Sequence, residues 1–161
     1  HRDLHSFPTR RSSDLLAAGR EMLAHPVETL PGVDEALAAL AERYRLVLIT
    51  KGDLMDQERK VAASGLGDLF AAVEIVSEKT ADTYVRIFSR HGTGAAEAVM
   101  AGNSMKSDVL PALEAGAFAV HIPYAITWAH ELADAPEDHA RYGALDRIAD
   151  LPEWIAKFCH V

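Results

Sequence analysis

The sequence has 161 residues, 49% apolar and 25% charged, with 16 Lys and Arg against 24 Asp and Glu and a net charge of -8. That is enough chain for one sizeable core, and the acidic balance disfavours non-specific binding to nucleic acid. No apolar run approaches the roughly 20 residues of a membrane span, and the single cysteine, Cys159, cannot close an intramolecular disulfide, so a reducing, cytoplasmic setting is expected.

Residues 1–15, HRDLHSFPTRRSSDL, read as the in-frame translation of a widely used DNA sequencing adapter. On that reading the protein proper starts at Leu16, Arg2, Arg10 and Arg11 are no phosphate-binding patch, and the segment is set aside from fold reasoning. Residues 16–24 are compatible with a short helix ended by His25 and Pro26. Leu30, Pro31 and Gly32 make a turn, after which Val33, Ala36, Leu37 and Leu40 recur at helical spacing. The apolar run 46–49, stopped by Thr50, Lys51 and Gly52, predicts a buried strand. Asp53 is placed to cap a helix that runs to about Ser64, with Gly65 as its stop signal.

The alternation then repeats. A strand is expected over 72–76, a helix over 81–90 with Thr80 as its cap, and a strand over 97–101. A helix over 108–115, stopped by Gly116, precedes a strand over 117–122 before Pro123. Helices alternating with short apolar strands imply right-handed crossovers and a parallel sheet covered on both faces, a doubly wound α/β architecture. In such sheets ligands sit outside the carboxyl ends of the strands. Thr50, Lys51, residues 77–79, residues 102–108 and the loop after Ile122 are therefore the positions where chemistry is expected.

The most specific stretch is residues 98–124, AVMAGNSMKSDVLPALEAGAFAVHIPY. Gly102, Asn103 and Ser104 permit a tight turn straight after a strand, and Asp108 follows near the start of a helix. A carboxylate there can ligate Mg²⁺ through oxygen or simply complement the helix terminus. Thr50 can donate its hydroxyl and backbone N–H to a phosphoryl oxygen, or be an ordinary turn threonine. Lys79 can neutralise a phosphate or a carboxylate as a compact charge, or lie solvated. Taken jointly, a hydroxyl, an ammonium and a carboxylate come in order at three successive strand ends and could surround one phosphoryl group.

On these residues the chain resembles the haloacid dehalogenase-like hydrolase superfamily over essentially residues 27–151. LVLITKGD is similar to its second motif, with Thr50; SEKT to its third, with Lys79; and GNSMKSD to its fourth, with Asp108. The resemblance implies catalysis by an aspartate nucleophile that becomes phospho-aspartate, a second aspartate two residues on as general acid and base, and Mg²⁺ bridging nucleophile, phosphate and Asp108. Thr50 and Lys79 are then catalytic, and Thr50, Lys51, Asn103 and Lys79 contact a small phosphorylated substrate. Asn103 stands where many members place an acidic residue; its amide can orient a metal-bound water but adds no charge.

The family's first motif, DxDxT after the first strand, is absent, and no Asp of this chain follows an apolar strand in that pattern. On the resemblance, residues 1–15 are a non-native leader, 16–30 the remnant of a helical cap, and 31–161 an incomplete Rossmannoid core that lacks its first strand and most of its cap. That strand would lie between those ending at Thr50 and Ala101. Without it two buried edges are unpaired, and the chain is expected to be inactive, and poorly stable or self-associating.

Two other readings stay open. A receiver-like or metabolite-binding module also combines Asp, Thr and Lys at parallel strand ends. Within the superfamily, a dehalogenase attacks carbon without a metal. Beyond the strand over 117–122, HIPYAITWAHE places Tyr124, Trp128 and His130 either at the rim of the site or in aromatic packing on the core, with His121 structural. His130 and Glu131 lack the second histidine of a zinc helix. Residues 134–138 and 146–150 are expected as acidic loops, and residues 151–158, with Trp154, as a closing helix.

Overall fold

Short-range signals set most of the element ends. The computed structural model describes residues 28–124 and 129–159, so the expectations for residues 1–24 and for Trp128 lie outside the described residues. Helix α1 (Val33–Ala41) follows the turn at Gly32 and leads to strand β1 (Val47–Lys51). Asp53 caps α2 (Leu54–Ser64) by accepting from the backbone N–H groups of Met55, at 3.0 Å, and Asp56, at 3.2 Å. Gly65 ends that helix at φ 72°, a left-handed conformation that costs glycine nothing. Strand β2 (Ala72–Val76) precedes α3 (Ala81–His91), which Thr80 caps through Thr83 N at 3.3 Å.

The second half holds β3 (Val99–Gly102), a π-helical turn (Met105–Val109) that runs into α4 (Leu110–Glu114), and β4 (Phe118–His121). Strand β5 (Tyr142–Ala144) and helix α5 (Leu151–Phe158) close the chain. Four local expectations shift. Thr50 and Lys51 belong to β1 rather than ending it. Strand β3 starts two residues late because Ala95–Glu97 forms a 3-10 turn. The helix expected from Asp108 begins as the wider turn at Met105. Strand β5 was not foreseen: three residues are too few for a periodic signal. It is instead specified by pairing with β4, Ala119 facing Tyr142 and His121 facing Ala144. Gly143 is needed there, because a Cβ would fall 2.5 Å from Trp154 Cε2.

Every strand pair is parallel, as the doubly wound α/β expectation requires. The strands form two sheets, β1–β2 and β3–β4–β5. Between the facing edges of β1 and β3 lies a cavity of about 850 Å³, lined by Val47, Ile49 and Thr50 on one side and Val99, Ala101 and Gly102 on the other. This is where the family resemblance places a further strand. Helices tie the halves together instead. Ile49 of β1 and Tyr84 and Ile87 of α3 pack with Met105, Val109, Leu113 and Ala119. Leu40 of α1 packs with Val120, Leu151 and Ile155. Among the described residues no helix is long and apolar enough to cross a membrane.

Candidate active site

The carboxyl ends of the strands converge on one charged pair. Lys79, three residues beyond β2, places Nζ 2.7 Å from Asp108 Oδ1, with the two side chains only 13% and 5% exposed. The other carboxylate oxygen, Oδ2, accepts from the backbone N–H of Ser104 at 3.0 Å. Gly102 makes this arrangement possible: a Cβ on it would lie 2.5 Å from Asp108 Cγ, inside any real contact distance. The small residue at the end of β3 is thus what lets the carboxylate fold back over the strand.

The turn that carries Asp108 is anchored from below. Tyr84 is fully buried, and its phenol donates to the carbonyl of Ser107 at 2.9 Å. Burial, reinforced by the charge of Asp108, pushes that phenol far above its ordinary pKa, so it is a fixed donor at neutral pH. From above, the hydroxyls of Ser104 and Ser107 both donate to Glu131 Oε2. These two hydrogen bonds hold the Glu131 carboxyl below the usual carboxylate range, with smaller help from the charges of Lys51 and His130.

The remaining site residues differ in how closely they approach the pair. Thr50, Lys79, Asn103 and Asp108 line the same cavity between the sheets. The Thr50 hydroxyl is engaged by Gln57 Oε1 of α2 at 3.3 Å. Lys51 does not line the cavity; its Nζ stands at the rim, 3.9 Å from both Glu78 Oε2 and Glu131 Oε1. Asn103 is exposed, and its backbone carbonyl meets His121 Nε2 at 3.1 Å, which gives His121 a tying role at the end of β4. His130 is exposed beside Glu131, at 3.4 Å, and Tyr124 is 45% exposed beyond β4.

Sequence reasoning missed Glu131 and Gln57 as parts of this constellation. Gln57 follows Thr50 by two helical turns' worth of chain, a spacing that carries no signal until α2 is seen to fold back on β1. Glu131 lies in a loop whose path the sequence does not specify.

For a metal, Asp108 offers the right kind of ligand, a hard carboxylate oxygen. Both of its oxygens already have protein partners, and no three His, Cys, Asp or Glu residues gather among the described residues. The donors fit Mg²⁺ in chemistry but not in number, so waters, substrate oxygens or further carboxylates would have to complete the shell.

Parallel strands whose carboxyl ends carry Thr50, a buried Lys79–Asp108 pair and the tight turn at Gly102 define a Rossmann-type α/β core with its site at the sheet edge. Solved structures identify the branch. A haloacid dehalogenase-like family hydrolase from Xanthomonas campestris is 40% identical, with a TM-score of 0.75 over 94% of this chain and 64% of that one. The chain belongs to the haloacid dehalogenase-like hydrolase superfamily. A phosphatase from Thermococcus onnurineus (24% identity, TM-score 0.65, 83% of this chain and 60% of that one) shares the fold. So does an L-2-haloacid dehalogenase from Xanthobacter autotrophicus with chloropropionic acid covalently bound (18%, 0.70, 92% and 68%). No protein-family model and no curated protein sequence matches. The chain spans less than two thirds of the length of the Xanthomonas hydrolase.

Proposed function

We propose that the protein to which this chain belongs is a magnesium-dependent phosphatase that hydrolyses a small phosphorylated metabolite through a phospho-aspartate. The observation that carries this reading is the buried Lys79–Asp108 pair on the cavity that Thr50 also lines. Thr50 would hold a phosphoryl oxygen by its hydroxyl and backbone N–H. Lys79 would neutralise the phosphate or the nucleophile, and Asp108 would ligate the cation. Asn103, from the cavity lining, and Lys51, from outside it, would meet the rest of the substrate. Bound Mg²⁺ would offset charge on the phosphoryl oxygens; magnesium is recorded with a Bacillus subtilis hydrolase of the same fold. The nucleophilic aspartate has no counterpart in this sequence and would come from outside it, so the 161-residue chain by itself would not turn over. A cytoplasmic setting and a small-molecule partner, with neither nucleic acid nor membrane involved, complete the proposal.

A metal-independent dehalogenase is the second reading. It is favoured by one observation: the Lys79 ammonium already sits on Asp108 Oδ1, where its charge would compete with a cation, while Ser104 N donates to Oδ2. The hydrolase relatives favour either over a receiver-like module. The test is to join the gene's upstream reading frame at Leu16 and assay the product with p-nitrophenyl phosphate and 2-chloropropionate, with and without EDTA. Phosphate release that EDTA abolishes, and that Asp108→Asn also removes, supports the phosphatase. EDTA-insensitive chloride release transfers the assignment to the dehalogenase, and neither activity removes both.

A further inference from the structure

Asp108 is presented from the π-helical turn Met105–Val109. Its hydrogen bonds are wide and partly bifurcated: Asp108 N and Val109 N both donate to Ser104 O, at 2.9 and 3.1 Å. Single π-helical turns of this kind are rare and lie mostly at functional sites, and this one takes support from outside itself. Tyr84 supplies it on one side, through the carbonyl of Ser107. On the other side Glu131, from the short 3-10 turn Ala129–Glu131, takes the hydroxyls of Ser104 and Ser107 with one carboxylate oxygen.

Ser104 is where these contacts meet. Its backbone N–H fixes Asp108 Oδ2, its hydroxyl accepts from Ser107 N at 3.0 Å, and the same hydroxyl donates to Glu131. A single residue therefore relays position from the loop beyond β4 to the working carboxylate. Glu131 is half-buried rather than free in solvent, and its second oxygen faces the Lys51 ammonium and the His130 ring. A charged acceptor shared by two hydroxyls is a stronger and more directional clamp than a neutral one.

We propose that Glu131 is a positioning residue: it clamps Ser104 and Ser107 from the loop beyond β4 and so sets the orientation of Asp108, without itself touching substrate or metal. The working role of Asp108 rests on the hydrolase reading above; the clamp does not. Loss of a partner at this remove from a metal-binding carboxylate typically lowers metal affinity or activity about 10- to 100-fold.

The test is amide hydrogen exchange on the full 161-residue chain, followed by NMR, in Glu131→Ala and Glu131→Gln. In Glu131→Ala the Ser104 amide, which donates to Asp108, exchanges about 10- to 100-fold faster, while the amides of Ala119 and Val120 in β4 keep their rates. Glu131→Gln retains a carbonyl acceptor and restores much of the protection. An unchanged Ser104 amide overturns the inference. So does acceleration of Ser104 and β4 together with no recovery in Glu131→Gln, because that pattern is general destabilisation. These readouts need no catalysis, so they can fail while the phosphatase assay succeeds, or succeed while it fails.

Discussion

Replacing Lys79 by methionine tests whether the Lys79–Asp108 pair is a structural element of the fold or only an adornment of its edge. The stem of the side chain is kept, and the ammonium 2.7 Å from Asp108 Oδ1 is lost. Asp108 is 4% exposed, so its carboxyl group is left buried without its counter-charge, with the Ser104 N–H still donating to Oδ2. Breaking one side of a buried pair costs about 3–5 kcal/mol. That is a large part of the roughly 5–15 kcal/mol available to a domain. Asp108→Asn strands a lysine that is 13% exposed, and its flexible stem can turn the ammonium towards water, so the expected loss is smaller. The double variant Lys79→Met/Asp108→Asn removes both charges and should recover most of the stability. Urea denaturation followed by circular dichroism at pH 7 gives all corners of the cycle. The same curves at several protein concentrations report whether the chain associates with itself. A Lys79→Met cost below about 1 kcal/mol, the range of exposed pairs, would refute the reasoning, and so would strict additivity in the double variant.

Three further outcomes follow from the same geometry. Gly102→Ala puts a methyl group against the Asp108 carboxylate and should cost about 1–3 kcal/mol as an overpacking substitution, with loss of Ser104 amide protection; unaltered exchange would show that the turn has slack. Lys79→Met should bind Mg²⁺ more tightly than the wild-type chain in calorimetry, since a competing cation leaves Asp108 Oδ1, and saturating Mg²⁺ should return part of the lost stability; equal affinities contradict the competition. Glu74 is held below its ordinary pKa, first by its 2.5 Å hydrogen bond with His91 and then by Arg90. A carboxyl depressed in the folded state adds stability above its unfolded pKa of about 4.3, and that stability is lost as pH falls through the lower folded value. The stability gap between wild type and Glu74→Gln should therefore be widest near neutrality and close in acid; a gap that widens in acid reverses the sign.

What could be seen in the sequence was whatever a few neighbouring residues decide. The Asp53 and Thr80 caps, the Gly65 stop and the strand 72–76 are local choices and fall where expected, and the strand expected over 117–122 is found, shorter by a residue at each end, at Phe118–His121. The placement of Thr50, Lys79 and Asp108 at successive strand ends follows from those elements together with parallel topology. Beyond that, the signal is tertiary. Three residues at β5 acquire strand geometry only from β4, and the need for glycine at 143 comes from an indole on α5. Glu131 reads as half of a failed zinc motif because its partners, Ser104 and Ser107, lie 27 and 24 residues away. The engagement of Asp108 with Lys79 and Ser104 N was equally hidden, since neither motif spells out which polar groups face each other once folded.

The packing of α1 has a consequence for synthesis. Leu40 finds its neighbours in Leu151 and Ile155, about 110 residues later in the chain. On the ribosome, the apolar stripe of the first described helix must therefore wait for about 80 further residues before Val120 can reach it, and for about 110 before Leu151 and Ile155 complete its cover. At synthesis rates of about 5–20 residues per second that interval lasts on the order of 5–20 seconds, during which chaperones, or another nascent chain, can reach the stripe before α5 does.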